Sequence, residues 1–321
     1  MFLVPESVAR DLVTPAAAFA AVEATFAAMA RGDAWNFPVV RETLGHADAV
    51  YGFKSGFDRA GQVLGLKSGG YWPGNADKGL TNHQSTVVLF DPDTGRPHAV
   101  VGGNHLTALR TAAASAVSIK HLARPDAHVL GIVGAGHQAP FQLHAAAAQR
   151  TFSRVLGWNV DPSMLDRLAE AAAAVGLPFE AVDRDTLGAR ADVIITITSC
   201  FEPLLMCGQV RPGTHIACMG TDTAGKQELD PALVSTAHVF TDEIDQAVRL
   251  GECQHAVEAG LLTPAAITPL GAVLTGDRPG RVDADEITLF DGTGVGLQDL
   301  AVAAVAVRLA RAQGLAQSVD M

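Results

Sequence analysis

The chain has 321 residues, 48% of them hydrophobic, with 32 glycines and few aromatics, a profile that suits an α/β protein with one large or two medium cores. A formal net charge of −11 without any basic cluster excludes a nucleic-acid partner. Cys200, Cys207, Cys218 and Cys253 lack metal-ligand spacing and read as reduced thiols of a cytosolic protein; no apolar run reaches the roughly 20 residues that span a bilayer. Residues 1–31 carry acids and helical periodicity, which is neither a signal nor a transit peptide pattern.

Thr14-Pro15 sets an N-cap before a proline at the first helical position. A helix is expected from there to about Ala30, burying Phe19, Val22, Phe26 and Met29, with Gly32 as its stop. Five short strands follow, at 37–44, 50–57, 62–71, 85–90 and 97–101, the last two joined by Asp91-Pro-Asp-Thr-Gly95. Strands without intervening helices predict a mostly antiparallel sheet, one face of which must be buried by the first helix or a second subunit. Asn104 is expected to cap a helix over 105–122, with Leu106, Leu109, Ala113, Ala116 and Val117 on its apolar face. Arg124-Pro-Asp126 then marks a domain boundary.

The stretch His128-Val-Leu-Gly-Ile-Val-Gly-Ala-Gly-His-Gln-Ala139 is an apolar strand, a G-x-G-x-x-A turn and the start of a helix. That is the dinucleotide fingerprint in its setting: Gly134 permits the turn, Gly136 leaves room for a pyrophosphate, and Ala139 allows close helix packing. Strands at 154–158, 179–182, 192–196, 214–219, 237–241 and 286–290 alternate with helical or loop segments, which predicts a doubly wound parallel sheet. Asn159 or Asp161, at the end of the second strand, is placed to take the adenosine ribose hydroxyls, and with no Arg or Lys nearby in sequence this favours NAD over NADP. Asp161-Pro162 also starts the next helix. A second glycine-rich turn, Asp291-Gly-Thr-Gly-Val-Gly296, is expected to shape backbone around the same ligand.

Three charges stand where the chain is otherwise apolar or small. Lys67, in Val63-Leu-Gly-Leu-Lys-Ser-Gly, would lose solvation and with it basicity, becoming able to exchange protons near neutrality. The plain alternative is a solvated edge lysine. Arg110, on a helix of small residues, needs an anion, either a ligand carboxylate or phosphate or a structural partner. Asp222 follows a strand whose C-terminal end should face the cofactor, although loop caps are often aspartates too. Arg41 is a further carboxylate ligand candidate, and His83 a candidate for a polar substrate group. Asp91, Asp93, Asp242, Glu243 and Asp245 read as solvated turn or helix-start acids. Glu252, Cys253 and His255 do not share a helix face, and no metal is assigned.

The string Leu106-Thr-Ala-Leu-Arg-Thr-Ala-Ala-Ala-Ser-Ala116, the loop Gly220-Thr-Asp-Thr-Ala-Gly-Lys-Gln-Glu-Leu-Asp230 and the Lys67 strand together resemble the ornithine cyclodeaminase/mu-crystallin family over nearly the whole chain. The resemblance implies a substrate-binding and dimerisation domain, 1–124 with 297–321, and a Rossmann domain, 125–296. It implies that Arg41 and Arg110 hold the substrate carboxylate, that Lys67 is the acid/base lysine, and that Asp222 is the aspartate used by cyclodeaminases. A substrate-binding threonine of the family falls at or beside Asn82. His137, Gln138, Asn159, Ser199, Met219, Lys226 and Gly292 fall at cofactor-contact positions, and Gly220, Thr221, Asp222 and Arg110 are taken with them. Family members cyclise ornithine, dehydrogenate alanine or reduce ketimines, and some bind a ligand without turnover. Asn36-Phe-Pro-Val-Val-Arg-Glu42, Asn82-His-Gln-Ser-Thr86 and Gly251-Glu-Cys-Gln-His255 are most similar to the branch that reduces iminosuccinate to L-aspartate. The expectation is therefore a homodimeric, NADH-dependent imine reductase.

Overall fold

A computed structural model describes residues 1–320, and the chain divides into two compact units: Met1–Arg110 with the chain from Val295 onward, and Thr111–Gly294. The first division falls inside the helix Asn104–Leu122 instead of after Arg124. The later half of that helix bonds within the second unit, where the Ser115 hydroxyl reaches Gln142 and Ser118 Oγ lies 3.1 Å from His215 Nε2. The return division comes before Val295, not after Gly296.

In the first unit the sheet runs in the order Gln317–Ser318, Phe2–Val4, Pro97–Gly102, His83–Phe90, Val63–Tyr71, Val50–Asp58, Ala34–Asn36, with Val40–Thr43 also pairing with Val50–Asp58. Every pairing is antiparallel except that of Phe2–Val4 with Pro97–Gly102. The single strand expected over 37–44 is two short ones flanking Pro38, which has no N–H for a ladder. The Asp91 carboxylate closes the expected hairpin, accepting from the N–H groups of Asp93 and Thr94 at 3.0 and 2.9 Å.

The helix Pro15–Ala30 begins as expected, with Ala17 N–H donating to Thr14 Oγ1 at 3.2 Å. Its buried face is Ala18, Val22, Thr25 and Phe26; Phe19 and Met29 sit half-buried at the flanks. Small residues let it pack on the helix Gly296–Ala312, and it is this C-terminal helix, not Pro15–Ala30, that covers the sheet. Gly56 and Gly65 make that possible: a Cβ on either would meet Leu297 at 3.0 Å or Leu300 at 3.2 Å. Asn104 does not cap its helix. Its Oδ1 accepts from Ser85 N–H at 2.7 Å, and the Glu6 carboxylate takes the Asn104 and His105 amides at 3.1 and 2.6 Å. An acid there also suits the helix dipole.

The second unit is the expected doubly wound α/β fold. Its sheet is parallel throughout, in the order Phe179–Ala181, Arg154–Trp158, Val129–Val133, Val193–Thr196, His215–Cys218, Thr288–Asp291, His238–Thr241, Thr268–Pro269. Central strands such as Val129–Val133 and Val193–Thr196 are buried along their whole length, as sheets covered on both faces must be. The strand order reverses between those two, which puts the glycine turn after Val133 at the switch point. A small sheet pairing Phe201–Leu205 with Gln227–Leu229 was not foreseen. Among the described residues no single helix is long and apolar enough to cross a membrane.

Candidate functional site

Each unit carries its own set of functional side chains. In the first, Lys67 is 7% exposed at the middle of Val63–Tyr71, and Arg110 is equally buried at 7%. Between them stands Asp299, 1% exposed, in the first turn of Gly296–Ala312. Lys67 Nζ lies 3.1 and 3.0 Å from the two Asp299 oxygens, Arg110 Nε donates to Oδ1 at 3.1 Å, and Arg110 Nη1 donates to Gln298 Oε1 at 3.2 Å. Gly296 brings the helix this close, since a Cβ there would sit 2.9 Å from Ser55 N. Burial pulls the Lys67 pKa down to about 7; Asp299 works against that, while Arg110 and Lys54 add to it. Burial would raise the Asp299 pKa, yet the charges of Arg110 and Lys67 hold it below its usual value. The result is an ammonium poised to give up a proton near neutrality.

Strand register sorts the other substrate candidates. Residues opposite one another on antiparallel strands share a face. Arg41 pairs with Gly52, Gly52 with Gly69, Lys54 with Lys67, and His83 with Tyr71. Arg41, Lys54, Lys67 and His83 therefore lie on one face, Arg41 well exposed and His83 half-buried. Asn82 precedes that strand and is turned to the loop, accepting from Ala76 N–H at 3.0 Å and donating to Tyr71 Oη at 3.2 Å.

In the second unit Gly134 has φ +108° and is so tightly placed that a Cβ would lie 2.7 Å from Ile197 O. Around Gly136 nothing lies within 4 Å of a Cβ position, an open cradle over the start of Ala139–Ala147. Ala135 N–H donates to Asn159 Oδ1 at 2.9 Å, which ties the turn to the end of the second strand. Asp161 caps the turn Pro162–Leu165, accepting from Ser163 N–H at 3.0 Å and Ser163 Oγ at 2.7 Å. The structure also brings Arg184 over the Trp158 ring, 5.2 Å from its centre, a cation near this strand end that sequence distance hid. His137 and Ser199 are exposed, whereas Gln138 carries a buried Oε1 with no hydrogen-bond partner among the described residues. An open glycine cradle, a helix N-terminus and an unsatisfied amide oxygen fit a dinucleotide.

The remaining cofactor candidates sit on neighbouring loops. Lys226 Nζ donates to Asp222 Oδ1 at 2.9 Å and to Gly220 O at 3.2 Å. Gly292 makes space for Met219, whose Sδ would lie 2.5 Å from a Cβ. Thr221 faces inward, its hydroxyl 2.5 Å from Glu252 Oε2, and so holds the loop from beneath.

Four acids that hold these loops escaped the sequence reading. Glu228 accepts from Thr196 Oγ1, Thr198 N–H, Thr198 Oγ1 and Gly220 N–H at 2.6, 2.6, 2.7 and 3.1 Å. Glu252 takes the Leu229 amide at 2.6 Å; burial and the Glu228 charge push its pKa to about 8. Asp291 takes the Cys253 amide at 3.0 Å, and burial raises its pKa to about 7. Asp242 is not the solvated turn acid expected. It is 5% exposed and accepts from Thr293 N–H, Thr293 Oγ1 and Gly294 N–H at 3.1, 2.6 and 2.8 Å, fixing the second glycine-rich turn.

Known proteins are similar to this chain in sequence and in fold. The model of the ornithine cyclodeaminase/mu-crystallin family matches residues 1–313. The iminosuccinate reductase of Paracoccus denitrificans (strain Pd 1222) is 64% identical over 321 residues, covering 100% of each chain. The crystal structure of the Paracoccus denitrificans iminosuccinate reductase in complex with NAD+ matches with a TM-score of 0.97 and 63% identity, over 100% of this chain and 99% of that one. Thermococcus litoralis Δ1-pyrroline-2-carboxylate reductase, in complex with NADH and L-proline, gives 0.94 at 28% identity, over 99% of this chain and 100% of that one. An archaeal alanine dehydrogenase dimer with bound NAD gives 0.95 at 30% identity, over 100% and 99%. Matched from end to end in sequence and fold, the chain belongs to the ornithine cyclodeaminase/mu-crystallin family.

Proposed function

We propose that this chain is an NADH-dependent imine reductase that converts iminosuccinate to L-aspartate, working as a homodimer. The observation that carries the reading is the buried Lys67–Asp299–Arg110 cluster, with a lysine pKa near 7, in a chain 64% identical to an iminosuccinate reductase.

NADH, when bound, supplies the hydride for the imine carbon. Gly134, Gly136 and the first turn of Ala139–Ala147 take its pyrophosphate, and Asn159 with Asp161 take the adenosine ribose. His137, Gln138, Ser199, Met219, Thr221, Lys226 and Gly292 complete its surroundings. Ser163 holds the Asp161 carboxylate in its charged form, which opposes a 2′-phosphate and supports NADH over NADPH. Arg41 and Arg110 bind the carboxylate next to the imine, with His83 and Asn82 on the polar remainder of the substrate. Lys67 gives its proton to the imine nitrogen as that nitrogen becomes an amine, and Asp299 keeps the lysine charged until then. Asp222, paired with Lys226, is the second candidate for proton transfer.

A second copy of the chain is supported by one sheet face that carries Trp35, Val40, Tyr51 and Phe53, exposed by 43, 36, 39 and 39%. Apolar area of that kind marks an association surface, and sedimentation of the intact protein at working concentration tests it.

Iminosuccinate formed from oxaloacetate and ammonia should drive NADH oxidation, read as loss of nicotinamide absorbance. Ornithine conversion with bound NAD and no net NADH change would instead place the chain with the cyclodeaminases, and pyruvate with ammonia as the preferred pair would place it with the alanine dehydrogenases. A chain that oxidises no NADH with any imine is a binding protein.

A further inference from the structure

Residues 251–255 supply no group to the chemistry above, yet they grip the loop that carries Asp222 and Lys226. Asp291 fixes this stretch from the sheet side: it takes the Cys253 amide at 3.0 Å, and a Cβ on Gly251 would fall on its carboxylate. Glu252 holds the feet of the loop, accepting from Thr221 Oγ1 at 2.5 Å and from the Glu228 and Leu229 amides at 2.9 and 2.6 Å. Gln254 holds its tip. There the chain reverses over 223–226, with Lys226 N–H donating to Thr223 O at 3.2 Å and Gly225 at φ +84°. A turn of this kind satisfies one amide and leaves its other polar groups to outside partners. Gln254 Oε1 accepts from Gly225 N–H at 2.7 Å, and Gln254 Nε2 donates to Lys226 O at 3.2 Å and to Gly251 O at 2.8 Å. His255 Nε2 lies 3.1 Å from the same Lys226 carbonyl.

We propose that Gln254 is a positioning residue of the dinucleotide site: its amide, seated in the turn 223–226, fixes where the Lys226 ammonium stands and so sets NADH affinity. This rests on the reading of Lys226 as a cofactor contact. The turn brings two charged groups together at its feet, Lys226 Nζ donating to Asp222 Oδ1 at 2.9 Å and to Gly220 O at 3.2 Å. Ala224 and Gly225 at its tip are exposed, so water competes for the turn's own bond and the backbone alone holds the lysine weakly. An amide suits this place because it offers an acceptor and two donors on one carbon without a charge. A leucine would fill the space and make none of these bonds. A glutamate would keep the acceptor for Gly225 and turn a second acceptor toward two carbonyls.

The test is a double-mutant cycle on the full-length protein, read as the NADH dissociation constant by fluorescence titration, with circular dichroism reporting the folding of each variant. Lys226→Met should weaken NADH, and Gln254→Leu should weaken it by about 10-fold, the worth of one or two hydrogen bonds. With Lys226 gone there is nothing left to position, so adding Gln254→Leu to Lys226→Met should cost no further affinity. Gln254→Glu should bind NADH more tightly than Gln254→Leu and less tightly than wild type, and it replaces Gln254→Leu in the cycle if that variant does not fold. Losses that simply add, as a general loosening of the fold would give, overturn the role of Gln254. Wild-type affinity in Gln254→Leu, with Lys226→Met binding weakly, overturns it too, and both results leave the cofactor reading intact. Unchanged affinity in Lys226→Met overturns Lys226 as a cofactor contact, and the Gln254 role with it.

Discussion

Lys67 and Asp299, 232 positions apart in the chain, meet in a buried ion pair of 3.0 Å. Burial lowers the basicity of the lysine, and the Asp299 charge restores part of it. Asp299→Asn removes that charge, so the Lys67 pKa should fall below its present value of about 7. With Lys67 as the proposed proton donor the active form is the ammonium, present below the pKa and lost as pH rises through it. The alkaline limb of kcat should therefore move to lower pH in Asp299→Asn. An unmoved limb in a folded variant would remove Asp299 as the positioning residue.

Lys67→Met keeps length and apolar packing but has no proton to give. Its kcat should drop by about 10²-fold or more while NADH still binds, measured by fluorescence titration. Lys67→Arg retains charge with a pKa too high for transfer and should recover little. Full recovery by arginine would make the residue an electrostatic anchor.

Arg110→Ala leaves Asp299 its Lys67 partner, so the fold should survive. On the proposed role the substrate would lose a charge-assisted partner, and kcat/KM should fall by the equivalent of about 2–5 kcal/mol. Unchanged kinetics would assign Arg110 to the Asp299–Gln298 contacts alone.

NADH should be used with much higher kcat/KM than NADPH. Asp161→Ser should narrow the gap by removing the carboxylate that repels a 2′-phosphate. Asn159→Ala should weaken both dinucleotides, because Asn159 Oδ1 also holds the Ala135 amide of the glycine turn. A variant affecting only one dinucleotide would confine Asn159 to ribose recognition.

Glu228→Ala strips the acceptor from Thr196, Thr198 and Gly220 at once. Each buried donor left dry costs about 1–3 kcal/mol, so Tm should fall, and NADH should bind more weakly as the Thr198 and Gly220 loops lose their common anchor. Glu228→Gln faces the same donors with an amide that is itself half donor, and should rescue only in part. Normal NADH affinity in a destabilised variant would limit Glu228 to stability.

The parts legible in the sequence were those with a local period or a local cap. Alternation gave the strands on either side of Asp91–Gly95, and Thr14 announced its helix because the bond to Ala17 spans a single turn. Lys67 and Arg110 stood out as cations among small and apolar neighbours. Their partner did not, since Asp299 reads as an ordinary first-turn acid, a favourable place beside a helix dipole. The clue was there: an acid followed by Leu300, Ala301, Val302 and Ala303 on an apolar helix needs a buried cation. Glu228, Glu252 and Asp242 were illegible for another reason. They bond to backbone amides of distant loops, and amides carry no sequence signature. Asn104 misled in the same way, because the acceptor for its helix comes from Glu6.

The first unit is assembled from both ends of the chain, with Thr111–Gly294 inserted between them. A ribosome at about 5–20 residues per second delivers Lys67 and Arg110 long before Asp299. Until Gly296–Ala312 emerges, the nascent sheet has an uncovered apolar face and two buried-type cations without their carboxylate. The contiguous insert has every strand it needs and is free to fold first. Newly made chains should therefore pass through a state with a protease-resistant second unit and a labile first one, and stalled chains ending before Val295 should depend on chaperones far more than complete ones.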